Sequence, residues 1–306
     1  MNKLIFAALA CGFALHASAA PRFVYSPYQH VSESPAISDA PGPITWAFAT
    51  GECGDEQWGT FSGQQVADAN VAAFDAAGTG YMVSTGGQGG VFTCATDDGM
   101  ERFIARYASP HLLGIDFDIE AGQTAEQVES LILRIQAAQR RHARLRFSFT
   151  VATHAASDGS GKSLNGEGEA ILAALRRHGV REFTLNLMVM DYGPGTRALC
   201  VLKRGGLCDM GKSAIQAARN VSGKYGVPLA QLELTAMIGV NDVVSNVFTL
   251  DDARLLAAAA RTMKLAGVHY WSLGRDRPCP QPIEGASAAC SGMPYPPRAY
   301  LRALGQ

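Results

Sequence analysis

His111 to Gly122 reads HLLGIDFDIEAG. Leu112, Leu113, Ile115, Phe117 and Ile119 make the stretch apolar, yet Asp116, Asp118 and Glu120 stand at alternate positions. Successive side chains of a β-strand point to opposite faces, so the three carboxylates share one face while Phe117 and Ile119 share the other. Surface acids on an edge strand are the plain alternative. The apolar flanks argue against it, because such a strand belongs in the middle of a sheet, where unpaired charge is costly.

On either side of this stretch apolar β-rich runs recur with helix-like segments between them, the pattern of βα units around a parallel sheet. Eight strands are expected: Arg22 to Tyr28, Ile44 to Thr50, Gly80 to Thr85, Leu112 to Glu120, Leu145 to Thr153, Glu182 to Tyr192, Leu232 to Val240 and Gly267 to Leu273. In Ala125 to His142, Val128, Leu131, Ile132 and Ile135 trace one helical stripe, and Thr124 with Gln127 fits a capping box. Gly168 to His178 buries Ile171, Leu172 and Leu175 and stops at Gly179. Leu250 to Leu265 has Thr249 as a cap and Asp251 and Asp252 in its first turn. Eight strands with intervening helices predict an α/β fold of the (β/α)8 TIM-barrel type, in one domain. A doubly wound open sheet is the runner-up, but no glycine-rich phosphate loop follows the first strand.

The N-terminus has the layout of a secretory signal peptide over 1–19: Lys3, an apolar run from Leu4 to Leu15, then Ala17, Ser18 and Ala19. A lipid anchor at Cys11 is the competing reading. The barrel domain is expected over 20–306, exported and monomeric. No later run is apolar enough for a membrane helix, so no membrane partner is expected. Six cysteines remain after Cys11, an even number that suits an oxidising compartment. Six cysteines allow about 15 pairings, which the sequence does not choose between; pairing neighbours would give Cys200 with Cys208, Cys279 with Cys290 and Cys53 with Cys94. No C-x-x-C pair or histidine spacing suggests zinc. The net charge is −1, from 26 basic and 27 acidic residues, which leaves no basic stripe for nucleic acid and favours a neutral substrate.

Barrel strands present their C-terminal ends at the active face, which puts Glu120 outermost with Asp118 and Asp116 behind it. Three carboxylates in one buried row repel each other, so at least one is expected to hold a proton, and a raised pKa on the outermost suits a general acid. A divalent metal held by this row is the rival reading. It needs ligands from other strands, for which Asp191 is the obvious candidate. No metal and no cofactor are expected.

GIDFDIE resembles the D-G-x-D-x-D-x-E signature of glycoside hydrolase family 18, the chitinases and endo-β-N-acetylglucosaminidases. Gly114, Asp116, Asp118 and Glu120 match, and Leu113 stands where the first Asp is usual. STGG at Ser84 to Gly87 is similar to that family's third-strand S-x-G-G, MDY at Met190 to Tyr192 to its sixth-strand M-x-Y, and Trp271 to its eighth-strand tryptophan. Gly193 departs from the family in replacing the Asp that often follows the Tyr, and Asp191 offers a carboxylate nearby. The resemblance implies hydrolysis of β-1,4-linked N-acetylglucosamine polymers or oligomers, with retention, by attack of the substrate's own acetamido oxygen. It further implies Glu120 as acid and then base, Asp118 stabilising the oxazolinium ion, Asp116 sharing a proton with Asp118, Tyr192 holding the acetamido group, and Trp271 as floor under the sugar. An enzyme that trims N-glycans, or a non-catalytic lectin on the same barrel, are the alternatives.

Other marks carry less. Ser84, Gly86 and Gly87 read as structural rather than catalytic, allowing tight packing beside the carboxylates, and Met188 and Met190 as core or pocket wall. Trp46 and Trp58 suit either sugar stacking or burial. Asn241, Asp242 and Arg275 fall at strand ends on the active face, where Asn241, Met190 and Asp191 are expected to touch substrate, while Arg275 and Asp276 are candidates to pair with each other.

Overall fold

The computed structural model describes residues 22–120 and 122–306; the expected signal segment at 1–19 lies outside the described residues. All eight expected strands form. They are β1, in two pieces at Val24–Tyr25 and Tyr28–His30, β2 at Ile44–Ala49, β3 at Tyr81–Gly86 and β4 at Leu112–Asp118. β5 at Arg146–Ala152, β6 at Thr184–Met188, β7 at Leu232–Met237 and β8 at Gly267–Trp271 complete the set. Every neighbour pairing is parallel.

β1 closes the ring. Its first piece pairs with β8 and its second with β2, so one interrupted strand joins the two ends of the sheet. The interruption falls at Ser26 and Pro27, where proline has no N–H to give the ladder.

The crossovers carry α1 (Gly63–Ala76), α2 (Asp97–Arg106), α3 (Ala125–Arg141), α4 (Gly166–Arg177), α5 (Met210–Tyr225) and α6 (Leu250–Met263), and α7 (Ala299–Leu304) follows β8. The capping box of α3 forms as expected from Thr124 with Gln127, and Thr249 caps α6 as expected, there closing a further box with Asp252. The first crossover departs from the expected βα alternation: residues 31–43 run from β1 to β2 without a helix. Pro35, Pro41 and Pro43 forbid one there. Asn70 of α1 straps this loop down, accepting from Ile37 N at 2.7 Å and donating to Pro35 O at 2.6 Å.

Between sheet and helices lies the apolar core. Ile115, Phe117, Phe149, Leu185, Leu187, Leu234 and Val268 from the strands meet Val66, Ile104, Leu131, Ile135, Leu172 and Leu256 from the helices, all buried. Burying each such side chain stabilises by about 1.5–3 kcal/mol. The barrel interior is polar instead. At its lower end Glu233 of β7 pairs with Arg146 and accepts from Ser148 Oγ at 2.6 Å and Thr184 Oγ1 at 2.9 Å. His269, also buried there, is held down near a pKa of about 4 by its burial and is therefore neutral at pH 7.

The three disulfides join Cys53 to Cys94, Cys200 to Cys208 and Cys279 to Cys290, as the neighbour pairing predicts.

Candidate active site

The carboxylate row lies along β4 and continues past its end. β4 stops at Asp118, two residues short of the expected Glu120, and its last rung to β3 is Gly87 N–H donating to Asp118 O at 3.0 Å. Ile119 N donates to Thr150 O at 3.1 Å as the last rung to β5, and Glu120 lies just beyond the ladder. Gly86 makes this approach possible: its φ is 81°, and a Cβ there would stand 2.1 Å from Asp118 O.

Asp116 is the innermost acid, 1% exposed, and three hydroxyls converge on it. Tyr28 and Ser84 donate to Oδ2 at 2.8 and 2.6 Å, and Thr150 donates to Oδ1 at 2.7 Å. Asn186 of β6 orients two of these donors, giving its Nδ2 protons to Tyr28 Oη at 3.0 Å and Thr150 Oγ1 at 2.8 Å, while Thr235 of β7 donates to Asn186 Oδ1 at 2.9 Å. Burial pushes the Asp116 pKa up, and the three hydroxyls oppose that shift by solvating its charge.

Asp118 is 5% exposed, and its Oδ1 has no hydrogen-bond partner. Burial, then the charges of Glu120 and Asp116, hold its carboxyl well above the usual carboxylate range. The expected bond between Asp116 and Asp118 does not form, since the oxygens of Asp116 are taken up by hydroxyls. Glu120 is half-buried, and its pKa is raised by burial and then by the charges of Asp191 and Asp242. The site thus combines a solvated inner acid, an unpartnered middle one and an outer acid biased to keep its proton.

The loop after β6 brings a further acid, Asp191, near enough for its charge to act on Glu120. Tyr192 is 2% exposed with its Oη unpartnered, while its N–H donates to Asn246 Oδ1 at 2.9 Å. Asp191 is half-buried, and its Oδ1 accepts from Val243 N at 2.7 Å. Met190, also half-buried, precedes it.

Several expectations need correction. Asn241 is fully buried and faces protein: its Nδ2 donates to Met237 O at 2.8 Å and Gly239 O at 3.1 Å, and its Oδ1 accepts from Asp191 N at 3.3 Å, leaving no N–H for a substrate. Arg275 does not pair with Asp276. Its guanidinium donates to the carbonyls of Ser287, Ile238 and Val240 at 2.6, 3.0 and 2.7 Å, whereas Asp276 accepts from Tyr300 N and Leu301 N at 3.1 and 2.7 Å. Trp46 and Trp58 are wholly buried, Trp46 stacked on Tyr81 at 4.3 Å and Trp58 bonded to Tyr107 Oη at 2.8 Å, so neither is available to stack on a sugar.

Trp271, at the end of β8, stays half-buried and stacks on Phe48 with ring centroids 5.4 Å apart. Tyr28 and His30 pack against the same indole at 6.3 and 5.9 Å. Sequence reading missed Tyr28, Phe48, Thr150 and Asn246. Strand alternation could have found Thr150, two residues from Ser148 on an inward face; nothing local marks Asn246. Among the described residues, Glu52, Cys53 and Cys94 are the acids and thiols close enough to share one ion, and both sulfurs are in the disulfide.

No family model matches this chain. A probable bifunctional chitinase/lysozyme of Escherichia coli (strain K12) is 30% identical over 239 residues, 72% of this chain and 26% of that protein. Endochitinase 11 of Metarhizium anisopliae is 27% identical over 294 residues, covering 84% of this chain and 53% of that one. The chain therefore spans about a quarter and about half of these curated relatives. Among solved structures, the catalytic domain of the hyperthermophilic chitinase from Pyrococcus furiosus superposes with a TM-score of 0.71 at 25% identity, over 94% of this chain and 95% of that one. The two share the barrel fold at nearly full length.

Proposed function

We propose that this chain is an exported, monomeric chitinase-type glycoside hydrolase that cleaves β-1,4-linked N-acetylglucosamine chains with retention, the substrate's acetamido oxygen acting as nucleophile. The observation that carries the reading is Asp118: a buried carboxyl with an unpartnered oxygen, set between Asp116 and Glu120 and lacking any protein group to stabilise. A cationic intermediate beside it would supply the missing partner. The similarity to the Pyrococcus chitinase domain, one form of which has been solved with chito-oligosaccharides, supports the same substrate class.

In this reading Glu120 gives its proton to the glycosidic oxygen as the C1–O bond breaks, and the acetamido oxygen closes on C1 to form an oxazolinium ion. Asp118 accepts from the acetamido N–H and balances the positive charge. Tyr192 donates its free Oη hydrogen to the acetamido oxygen, and the Trp271 face supports the sugar ring. Water then gives a proton to Glu120 and attacks C1, opening the ring and restoring the β configuration. Asp116, held by its three hydroxyls, contributes a fixed charge behind Asp118. Asp191 and Met190 line the site beside Tyr192. No metal or cofactor enters these steps. Export is supported by the three disulfides together with the N-terminal pattern.

The test is product analysis with chitin oligosaccharides, the anomer read by NMR, for wild type and Glu120→Gln. We expect β products from the wild type and a loss of at least about 100-fold in the variant, the scale of general acid catalysis. Binding without cleavage by both proteins would leave a lectin and refute the enzyme.

A further inference from the structure

The loop that carries Tyr192 is held from outside by one structural unit, a hairpin pairing Gly239–Val240 with Val247–Phe248 between β7 and α6. Three side chains stitch the two together. Asn246 accepts from Tyr192 N at 2.9 Å and donates to Gly193 O at 3.0 Å. Asn241 accepts from Asp191 N at 3.3 Å, and Asp191 returns a bond by accepting from Val243 N at 2.7 Å. Both asparagines are fully buried.

The residues held are the ones that do not hold themselves. Asp191 has a φ of 47° and Gly193 a φ of 89°, so Tyr192 sits between two residues in left-handed backbone. Glycine takes up such a φ freely, whereas for Asp191 it persists because surrounding structure over-determines it. Tyr192 Oη makes no hydrogen bond within the protein. Its side-chain position therefore depends on packing and on the placement of its backbone.

We propose that Asn246 is a positioning residue of this site: by fixing both the N–H of Tyr192 and the carbonyl of Gly193, it sets where the Tyr192 hydroxyl meets the acetamido group of the substrate. The inference rests on the reading of Tyr192 given above, and it assigns to the hairpin a role in turnover beyond that of covering the barrel rim. Asn246 touches no substrate and acts only through Tyr192.

The test is a double-mutant cycle of Asn246→Ala and Tyr192→Phe, with kcat and KM measured on a chitin tetrasaccharide and folding monitored by thermal unfolding. Asn246→Ala is expected to lower kcat by about 10- to 100-fold, the scale of a 1 Å misplacement. In the Tyr192→Phe background the same change should cost less than about 3-fold, because the group it positions is gone. Equal losses in both backgrounds, or no loss in either, overturn the proposal. Asn246→Asp keeps the acceptor for Tyr192 N–H while losing the donor to Gly193 O, so it should recover part of the loss; it also serves in the cycle should Asn246→Ala fail to fold. A crystal structure of the variant reads the clasp independently of turnover. Tyr192 Oη displaced by about 1 Å supports it, and an unmoved Tyr192 refutes it. A wild type without hydrolytic activity would sink the proposed function through the assay alone, leaving the crystallographic result to judge the clasp.

Discussion

At Asp118 a carboxyl sits buried with one oxygen unpartnered, a placement that costs stability. Burial and the charges of Glu120 and Asp116 raise its pKa in the folded state. The folded protein therefore binds that proton more tightly than the unfolded chain does. The stability this brings is fully present below the unfolded pKa of about 3.9 and is lost as pH rises toward the folded value. Asp118→Asn removes the loss. Its unfolding temperature is expected to exceed that of the wild type at pH 7 by a few degrees, about 2–4 °C per kcal/mol, with the gap closing near pH 3. Calorimetry at the two pH values checks this, and activity should fall in the same variant. Glu120 is tuned by its surroundings in the same direction, first by burial and then by the Asp191 charge. Asp191→Asn keeps an acceptor for Val243 N but removes that charge, so the pKa of Glu120 falls. The alkaline limb of kcat/KM against pH should then move to lower pH. An unmoved limb would mean that another group sets it. The acids of this row were legible in the sequence; the hydroxyls that solvate Asp116 were not.

Elements were read with varying success, for local reasons. The caps of α3 and α6 are encoded within four residues of each start, and both formed where the pattern put them. Residues 31–43 broke the βα alternation because their prolines outweigh the expectation of a helix in every crossover. The loops on the active face are held by covalent links. Cys53–Cys94 ties the segment after β2 to the segment before α2 across 41 residues, and closing a loop of that size stabilises by about 4 kcal/mol on the chain-entropy model. Replacing both cysteines with alanine should cost about 2–4 kcal/mol, read from the guanidinium midpoint. A loss below about 0.5 kcal/mol would show that Glu52, which accepts from Ala95 N at 2.6 Å, holds the same loops unaided.

The barrel encloses two polar clusters, one at each end of its strands. Glu233, Arg146 and His269 fill the lower end, and Asp116 with its hydroxyls fills the upper. A buried ion pair contributes little net stability but is expensive to break from one side. Arg146→Met leaves Glu233 charged and buried, and it is expected to destabilise the fold by about 3–5 kcal/mol in denaturant titration. The kcat of the molecules that remain folded should change little, since this pair lies at the N-terminal end of the strands, away from the carboxylate row. A large loss of kcat in a fully folded Arg146→Met would show instead that the two polar layers act as one network.

The order of the eight strands, the caps of α3 and α6, an even number of cysteines after Cys11 and the alternation of Asp116, Asp118 and Glu120 are all legible in the sequence. Each is a matter of spacing within a few residues, or of parity, which a chain carries before it folds. Folding selects the disulfide partners among about 15 pairings, brings Tyr28, Ser84 and Thr150 onto Asp116, sets Asn246 on the backbone of Tyr192, and buries Trp46, Trp58 and Asn241. Tyr28 reaches Asp116 across 88 residues, and Asn246 reaches Tyr192 across 54. Contacts of that range depend on strand register and on closure of the sheet through β1, which no local pattern specifies.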